Sequence, residues 1–168
     1  MKVIDNFLPD GEFKALSNVV MGDHFPWYFN NVITSQQTDN QFYFGNTVFC
    51  TSPPWNGKTV TFYTTNVGEL FLPRLKIKTL RRIKCNCQTR TFFHRKCLYH
   101  TDYDASSPCI TAIFYVNTNN GWTEFKKGGK VKSVANRMVF FDSRLEHRGV
   151  SCTDQQTRVV INFNYDAG

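Results

Sequence analysis

The sequence predicts a mainly β protein, a jelly roll supported by helices near the N-terminus, and three observations lead to this fold class. Aromatic residues are abundant, with 16 Phe, 7 Tyr and 3 Trp among 168 residues, and such side chains favour strands. Residues 81–168 divide into short alternating segments bounded by Gly, Asn, Asp or Pro. Helical spacing of apolar residues is confined to residues 1–80, which places helices before a series of antiparallel strands.

The first 80 residues alternate between helical and extended segments. Apolar residues follow Pro9 at helical spacing, with an acidic residue in the first turn, which predicts a first helix. A second helix is expected around Pro73, which bends it or delays its start because proline has no N–H to donate inside a helix. The predicted elements are, in order, a short strand at 3–8, the first helix, extended aromatic segments at 25–30 and 38–50, a Pro/Asn/Gly loop at 52–58 and the second helix at 67–80.

Short strands separated by turns are predicted from Arg81 onward. They are RRIKCNC, TAIFYVNT, WTEF, KVKSVA, RMVFFDS, EHRGVS and TRVVINFNY. The length of the chain suits one domain with a core of its own. We therefore expect residues 1–168 to form a single domain, with 1–80 as a helical and extended buttress and 81–168 as the jelly-roll core.

The net charge of +7 favours an anionic partner, such as nucleic acid or an acidic protein face, although a basic surface also keeps a protein in solution. The basic segments 81–84 and 126–132 have the same two interpretations. They are solvated strand faces, or they flank a binding site for which Trp55, Tyr63 and Trp122 offer aromatic platforms.

The start of the chain has no apolar run typical of a signal peptide, and no segment approaches the length of a membrane span. We therefore expect a cytoplasmic protein without a membrane partner, whose six cysteines are reduced thiols in or near the core. The absence of a Cys-x-x-Cys pair weakens a structural zinc site, although Cys85, Cys87, Cys97 and His100 offer ligands for one.

The segment YHTDYD (99–104) places His100 and Asp102 two residues apart. Side chains at i and i+2 of a strand point to the same face, so both can direct ligand atoms to one point. His147, in the short segment EHRGV, is the third candidate. Two histidines and one carboxylate leave three octahedral positions open, which is typical of non-haem Fe(II) sites. The alternatives are a polar turn at 99–104 and a solvent-facing His147.

Arg158 follows His147 beyond the turn CTDQQT and begins the alternating strand RVVINFNY. A hairpin of that length returns Arg158 beside the His147 segment and into the barrel. A buried guanidinium is costly unless it is paired, and its planar fork suits a carboxylate. Arg158 therefore predicts a site for an anionic co-substrate, with a surface salt bridge as the alternative.

Together these residues resemble the 2-oxoglutarate/Fe(II)-dependent dioxygenases, specifically the prolyl 4-hydroxylase-like branch. The resemblance rests on YHTDY (99–103), TAIFYVNTNNGWTEF (111–125), ANRMVFFDSRLEHRGV (135–150) and TRVVINFNY (157–165). It covers the C-terminal half of the chain and is similar to the small stand-alone versions of marine bacteriophages, so a phage source is expected. It implies a double-stranded β-helix, a jelly-roll or cupin-like fold, that uses Fe(II), 2-oxoglutarate and O₂.

The resemblance also implies roles for single residues. The matching positions are His100, Asp102 and His147 for the iron ligands, Arg158 and Tyr115 for the distal carboxylate of 2-oxoglutarate, and Asn162 and Asn164 for the lining of the co-substrate pocket or the iron. Asn86 and Gln88, on the preceding strand, are further candidates for this lining. Relatives often carry a glycine pair where this chain has Gly121 and Trp122, and a tryptophan there is expected to narrow the substrate mouth.

The implied activity is hydroxylation of a substrate C–H bond with conversion of 2-oxoglutarate to succinate and CO₂. The expected substrate is a prolyl or other residue of a protein or peptide. The alternatives are hydroxylation of a nucleic-acid base or a small metabolite, and a non-catalytic jelly-roll binding module, which the complete set of ligands argues against. The predicted location is the cytoplasm, that of the host for a viral protein, and the oligomeric state stays open.

Overall fold

The computed structural model of the chain describes most of its residues. The described residues are 1–31, 41–51, 64–103 and 108–168, with the backbone alone for 64–66. Outside them lie several predicted features: residues 38–40 of an extended segment, the loop at 52–58, Trp55 and Tyr63.

Two helices and ten strands make up the described secondary structure. The helices are α1 (Asp10–Val20) and α2 (Thr64–Phe71). The strands are β1 (Lys2–Ile4), β2 (Tyr28–Asn30), β3 (Tyr43–Cys50), β4 (Ile77–Thr89), β5 (Ile110–Tyr115), β6 (Trp122–Phe125), β7 (Gly129–Lys132), β8 (Arg137–Asp142), β9 (His147–Val150) and β10 (Thr157–Ala167). The predicted class, mainly β with helices near the N-terminus, is confirmed.

The strands form two antiparallel sheets. The larger sheet has seven strands in the order β1-β8-β5-β10-β4-β3-β2, and the smaller has three in the order β7-β6-β9. Three strands of the larger sheet come from residues 1–80. This part of the chain therefore supplies strands to the sheet in addition to both helices. One core cluster joins the helices to the outer face of the larger sheet. A second cluster lies between the two sheets.

Strand β10 shows how the sequence builds this arrangement. Successive side chains of a strand point to opposite faces. Val159, Ile161 and Phe163 enter the cluster beneath the helices, whereas Arg158 and Asn162 line a cavity on the opposite face. The two faces of RVVINFN are therefore both enclosed, one by the apolar core and the other by the smaller sheet.

The second helix differs from the prediction. Helix α2 ends at Phe71, and Ile77 begins β4, so the predicted helix at 67–80 is wrong in its C-terminal part. Pro73 has no N–H and disfavours helical geometry in the residue before it. Beyond Pro73 the chain pairs with β10, where Ala167 opposes Ile77, and this long-range pairing decides the structure of a segment whose local sequence suited both.

Candidate metal centre

The three predicted metal ligands lie on two paired segments. His100 and His147 oppose one another, because the amide N–H of each donates to the carbonyl oxygen of the other at 3.0 Å. Opposed residues of an antiparallel pair share a face, and the two imidazole centroids are 4.6 Å apart. The ligand atoms of His100, Asp102 and His147 all lie within 4.8 Å of one another. In the described part of the chain, this is the group of side chains able to hold a metal ion.

The Asp102 carboxylate is fixed by three donors. Arg82 Nη2 donates to Oδ1 at 2.8 Å, and Thr111 Oγ1 and Asn164 Nδ2 donate to Oδ2 at 2.8 and 3.2 Å. Burial raises the pKa of this carboxyl group, but the Arg82 guanidinium, His147 and the Thr111 hydrogen bond together bring the pKa well below its usual range. Asp102 is therefore an oriented anion, the form that binds a metal ion.

His147 is held neutral by its surroundings. Its side chain is buried and packs edge-on to the Phe141 ring at 4.8 Å between centroids. Nδ1 lies 2.9 Å from the carbonyl oxygen of Leu145, which orients the ring and leaves Nε2 to face Asp102. Burial lowers the pKa of His147, partly offset by the charge of Asp102. A neutral imidazole with one nitrogen already bonded is the form that binds metal.

The lowered pKa of His147 predicts how the metal-free protein responds to acid. The unfolded chain takes up a proton on this residue near pH 6.5, whereas the folded chain resists it down to a lower pH. The free energy of unfolding should therefore fall as the pH drops below about 6.5. Urea unfolding of the metal-free protein between pH 8 and pH 5 measures this. His147→Gln should show a shallower slope, and equal slopes in both proteins would contradict the assignment.

Arg158 is buried in the same cavity, away from the three ligands. Its guanidinium donates to Ser133 Oγ at 3.1 Å, Gln88 Oε1 at 3.2 Å and Thr123 Oγ1 at 3.1 Å. Burial lowers its pKa, yet a guanidinium stays charged at neutral pH. No carboxylate of the described residues forms an ion pair with it. A buried cation surrounded by neutral donors and acceptors fits an anionic ligand.

Gly121 is the one glycine that this chain has where relatives often carry a pair, and it lies close to the Arg158 side chain. A Cβ added here would lie 2.7 Å from the Val150 carbonyl oxygen, 2.8 Å from Asn119 Oδ1 and 2.9 Å from Arg158 Cδ. Only glycine allows the chain to pass this close to the Arg158 side chain. Gly121 therefore helps to set the position of the guanidinium.

Gly121→Ala is expected to lower the free energy of unfolding by about 1–3 kcal/mol, the usual effect of overpacking, and to weaken binding of an anion at Arg158. Gly68→Ala is the matched control, because its added methyl group meets only Leu72 Cδ1 at 3.9 Å and should stabilise α2 by roughly 0.5–1 kcal/mol. Urea unfolding of both variants measures the difference. Equal stability of the two would contradict the role of Gly121.

The remaining predicted pocket residues differ in position. Asn162 lines the cavity. Asn164 is fully buried and bonds to Asp102 rather than facing open space. Tyr115 is also fully buried, and its hydroxyl donates at 2.8 Å to Thr123 Oγ1, the same oxygen that accepts from Arg158. Tyr115 therefore reaches the anion site through Thr123 in this structure, and direct contact with a co-substrate stays a prediction.

Two sequence expectations about this region are wrong. Trp122 does not narrow the cavity, because the neighbouring Thr123 faces it and the Trp122 ring packs against His94 and Lys130. The alternative zinc site is not formed either. Cys85 and Cys87 lie in the cluster beneath the helices, on the opposite face of the sheet from His100.

Sequence reasoning missed the contact of Arg82 with Asp102, because it interpreted the basic segment 81–84 only as a solvated strand face or as the flank of a binding site. Arg82 faces the cavity together with Lys84, Asn86 and Gln88. The signal was present in β4, where these polar residues alternate with Ile83, Cys85 and Cys87. Alternation shows that one face of a strand is polar. It does not show that this face is enclosed.

The donor set fits an octahedral metal ion such as Fe(II), because it supplies two imidazole nitrogens and one carboxylate on one side. The uncompensated Arg158 at the other end of the cavity fits a carboxylate of a small dianion. The cavity measures about 670 Å³, which leaves room for a second, larger ligand.

Comparisons with known proteins agree with this donor set. Residues 86–166 match the model of the 2OG-Fe(II) oxygenase superfamily. No curated protein sequence matches the chain. The described helices include none that is long and apolar enough to cross a bilayer.

Solved structures show the same fold at low sequence identity. A prolyl hydroxylase from Trichoplax adhaerens, in complex with a hypoxia inducible factor oxygen degradation domain peptide fragment, has 14% identity and a TM-score of 0.60, over 98% of this chain and 83% of that chain. The viral collagen prolyl hydroxylase of Paramecium Bursaria Chlorella virus-1 has 13% identity and a TM-score of 0.58, over 99% and 90%. A Pseudomonas putida prolyl-4-hydroxylase has 15% identity and a TM-score of 0.56, over 99% and 92%. The expected double-stranded β-helix is confirmed.

Proposed function

We propose that this chain, whose residues 86–166 match the model of the 2OG-Fe(II) oxygenase superfamily, is a dioxygenase that uses Fe(II), 2-oxoglutarate and O₂ and hydroxylates a C–H bond of a peptide substrate. The substrate, 2-oxoglutarate and O₂ are converted to the hydroxylated substrate, succinate and CO₂. One oxygen atom enters the substrate and the other enters succinate. When bound, Fe(II) supplies the activation of O₂ that this oxidation needs.

We assign the iron to His100, Asp102 and His147, and the distal carboxylate of 2-oxoglutarate to Arg158. The observation that supports this assignment best is the buried Arg158 guanidinium, which has no anionic partner among the described residues and shares a cavity with the three ligand side chains. A small dicarboxylate would place one carboxylate at Arg158 and the other at the metal site.

The other residues of the site orient the metal-binding side chains and limit the access of water to the metal centre. Arg82 and Asn164 fix Asp102, so its carboxylate needs no reorientation when the ion binds. The rings of Phe125 and Phe141 pack on His147 and keep water away from one side of the centre. Tyr115 and Asn162 are proposed to complete the co-substrate pocket, Tyr115 through the Thr123 hydroxyl.

A peptide is the preferred substrate, with proline as the first target residue. The similar structures include three prolyl hydroxylases, one of which is in complex with a peptide. In this chain the amide side chains of Asn86, Gln88 and Asn162 line the cavity, and such groups match the donors and acceptors of a peptide backbone. The proposed location is the cytoplasm, which the six buried thiols support. A phage origin stays a prediction from the sequence.

Succinate formation tests this function. Purified protein is incubated with Fe(II), 2-oxoglutarate and O₂, with and without a library of proline-containing peptides, and succinate and peptide masses are followed together. We expect peptide-dependent succinate and a product heavier by one oxygen atom, with neither formed by His147→Ala. Succinate formed with oligonucleotides or small metabolites, and never with peptides, would refute the peptide substrate.

A further inference from the structure

The charges that line the cavity are not balanced. Five charged side chains of the described residues line it: Arg82, Lys84, Arg158, Asp102 and Glu146. Asp102 is paired with Arg82 at 2.8 Å, and Glu146 is paired at 2.7 Å with a lysine outside the cavity. Arg158 and Lys84 have no carboxylate partner in the described part of the chain. Two cations of the cavity wall are therefore unpaired among the described residues.

Lys84 lies at a different end of the cavity from Arg158. In the pairing of β4 with β10, Gln88 opposes Arg158 and Lys84 opposes Asn162. Four residues of a strand extend about 13 Å, and Arg82, two residues beyond Lys84, binds Asp102. Lys84 is therefore nearer the metal side of the cavity, four residues along β4 from the residue that opposes Arg158.

The ammonium group of Lys84 is oriented but not neutralised. Lys84 Nζ donates to the Tyr43 hydroxyl at 2.6 Å and lies 4.9 Å from the centroid of the Tyr43 ring. Both contacts are to a neutral side chain on β3. They hold the ammonium group at the cavity wall and leave its positive charge available to a ligand.

Bound cofactors do not supply the missing anion, a step that rests on the proposed function. In the proposed function, the two carboxylates of 2-oxoglutarate would be held by Arg158 and at the metal site, and Asp102 is already paired with Arg82. Lys84 then remains positive inside a partly closed cavity. A cation in that position favours a substrate with a negative charge.

A second observation concerns Asn162, which opposes Lys84 on the next strand. Its Oδ1 atom is buried and has no hydrogen-bond partner, although the side chain lines the cavity. A buried acceptor is normally satisfied, so this atom fits a donor from a ligand. A peptide with an acidic residue supplies both groups, a backbone N–H for Asn162 and a carboxylate for Lys84.

We propose that Lys84 binds a carboxylate of the peptide substrate, so that the enzyme selects a target residue with an aspartate or glutamate beside it. This preference is a property of β4 and β3 in this chain, independent of Arg158 and of the three metal ligands.

Matched peptides test the proposal. Each set has the same proline flanked by Asp or Glu, by Asn or Gln, or by Lys, and KM and kcat are measured from succinate and product. With the wild-type protein we expect KM to be roughly 10- to 100-fold lower for the acidic peptides, the effect of one charge-assisted hydrogen bond. Lys84→Met should remove the preference, Lys84→Arg should retain it, and Lys84→Glu should favour the Lys-flanked peptides.

Controls separate this inference from the proposed function. Lys127→Met removes an exposed lysine outside the cavity and should leave the preference unchanged. Peptide binding is also measured without O₂, on protein loaded with Mn(II) and 2-oxoglutarate, so the preference is tested even if no succinate forms.

Catalysis without any acidic preference would overturn the role of Lys84 and leave the proposed function intact. Lower affinity for 2-oxoglutarate in Lys84→Met with an unchanged peptide preference would assign Lys84 to the co-substrate, and oligonucleotide binding that depends on Lys84 would assign it to nucleic acid. Both results would overturn the proposal.

Discussion

Replacing Arg158 with methionine is expected to weaken 2-oxoglutarate binding by at least about 100-fold, while the metal site stays intact. Methionine keeps much of the length of the side chain and removes its charge. Loss of one partner from a buried ion pair costs about 3–5 kcal/mol, and each 1.4 kcal/mol corresponds to about a tenfold change in affinity. The described cavity wall contains one other guanidinium, that of Arg82, and it is already paired with Asp102. No neighbouring arginine therefore takes over the role of Arg158.

Calorimetric titration of 2-oxoglutarate into protein loaded with Mn(II) measures this effect. Arg158→Lys should show an intermediate loss, because a lysine keeps the charge but lacks the planar fork. Arg90→Met, which removes an exposed arginine outside the cavity, is the matched control and should bind normally. A folded Arg158→Met protein with wild-type affinity for 2-oxoglutarate would remove Arg158 from the anion site.

Asp102→Asn is expected to have two large effects, a loss of metal affinity of at least about 100-fold and a lower free energy of unfolding. The first follows because an amide oxygen is a much weaker ligand than a carboxylate. The second follows because Arg82 loses its counter-charge while its guanidinium stays partly buried. Breaking a buried pair in this way costs on the order of 3 kcal/mol.

A double-mutant cycle separates the two effects. Adding Arg82→Met to Asp102→Asn removes the unpaired guanidinium and should recover part of the stability, without recovering metal binding. Asp142→Asn breaks an exposed pair with Arg144 and should change stability only slightly. Urea unfolding and Mn(II) titration are measured on the wild type, the single variants Asp102→Asn and Arg82→Met, the double variant and the Asp142→Asn control. If the double variant recovers none of the free energy of unfolding, the unpaired Arg82 guanidinium is not the cause of the loss in Asp102→Asn.

The positions of some predicted site residues followed from local spacing along the chain. Alternation along β10 was enough to place Arg158 and Asn162 on one face. The i, i+2 spacing predicted His100 beside Asp102, although this segment is an isolated bridge followed by a bend and not a strand. These are local properties of an extended chain. The structure brings the segments together because His147 opposes His100 across an antiparallel pair. That these residues bind iron and 2-oxoglutarate stays a prediction for the variants to test.

Features that depend on pairing between distant segments could not be predicted. Arg82 reaches Asp102 only because β4 lies beside β10 and under the segment that carries the ligands, and no local pattern reports this contact. The end of α2 was misplaced for the same reason, since residues beyond Pro73 are drawn into a sheet whose partner strand is the last in the chain. Trp122 was wrongly assigned to the cavity because alternation along β6 does not show which of its two faces is turned toward the cavity.

Anaerobic titration of Fe(II) into the protein in the presence of 2-oxoglutarate tests the central claim most directly, because the visible absorbance of the Fe(II)–2-oxoglutarate complex reports both ligands at one site. The wild-type protein should saturate at one equivalent of Fe(II). His147→Ala and Asp102→Asn should show no band, and Arg158→Met should show it only at much higher concentrations of 2-oxoglutarate. An unchanged band in folded His147→Ala or Asp102→Asn would place the iron elsewhere and contradict the account.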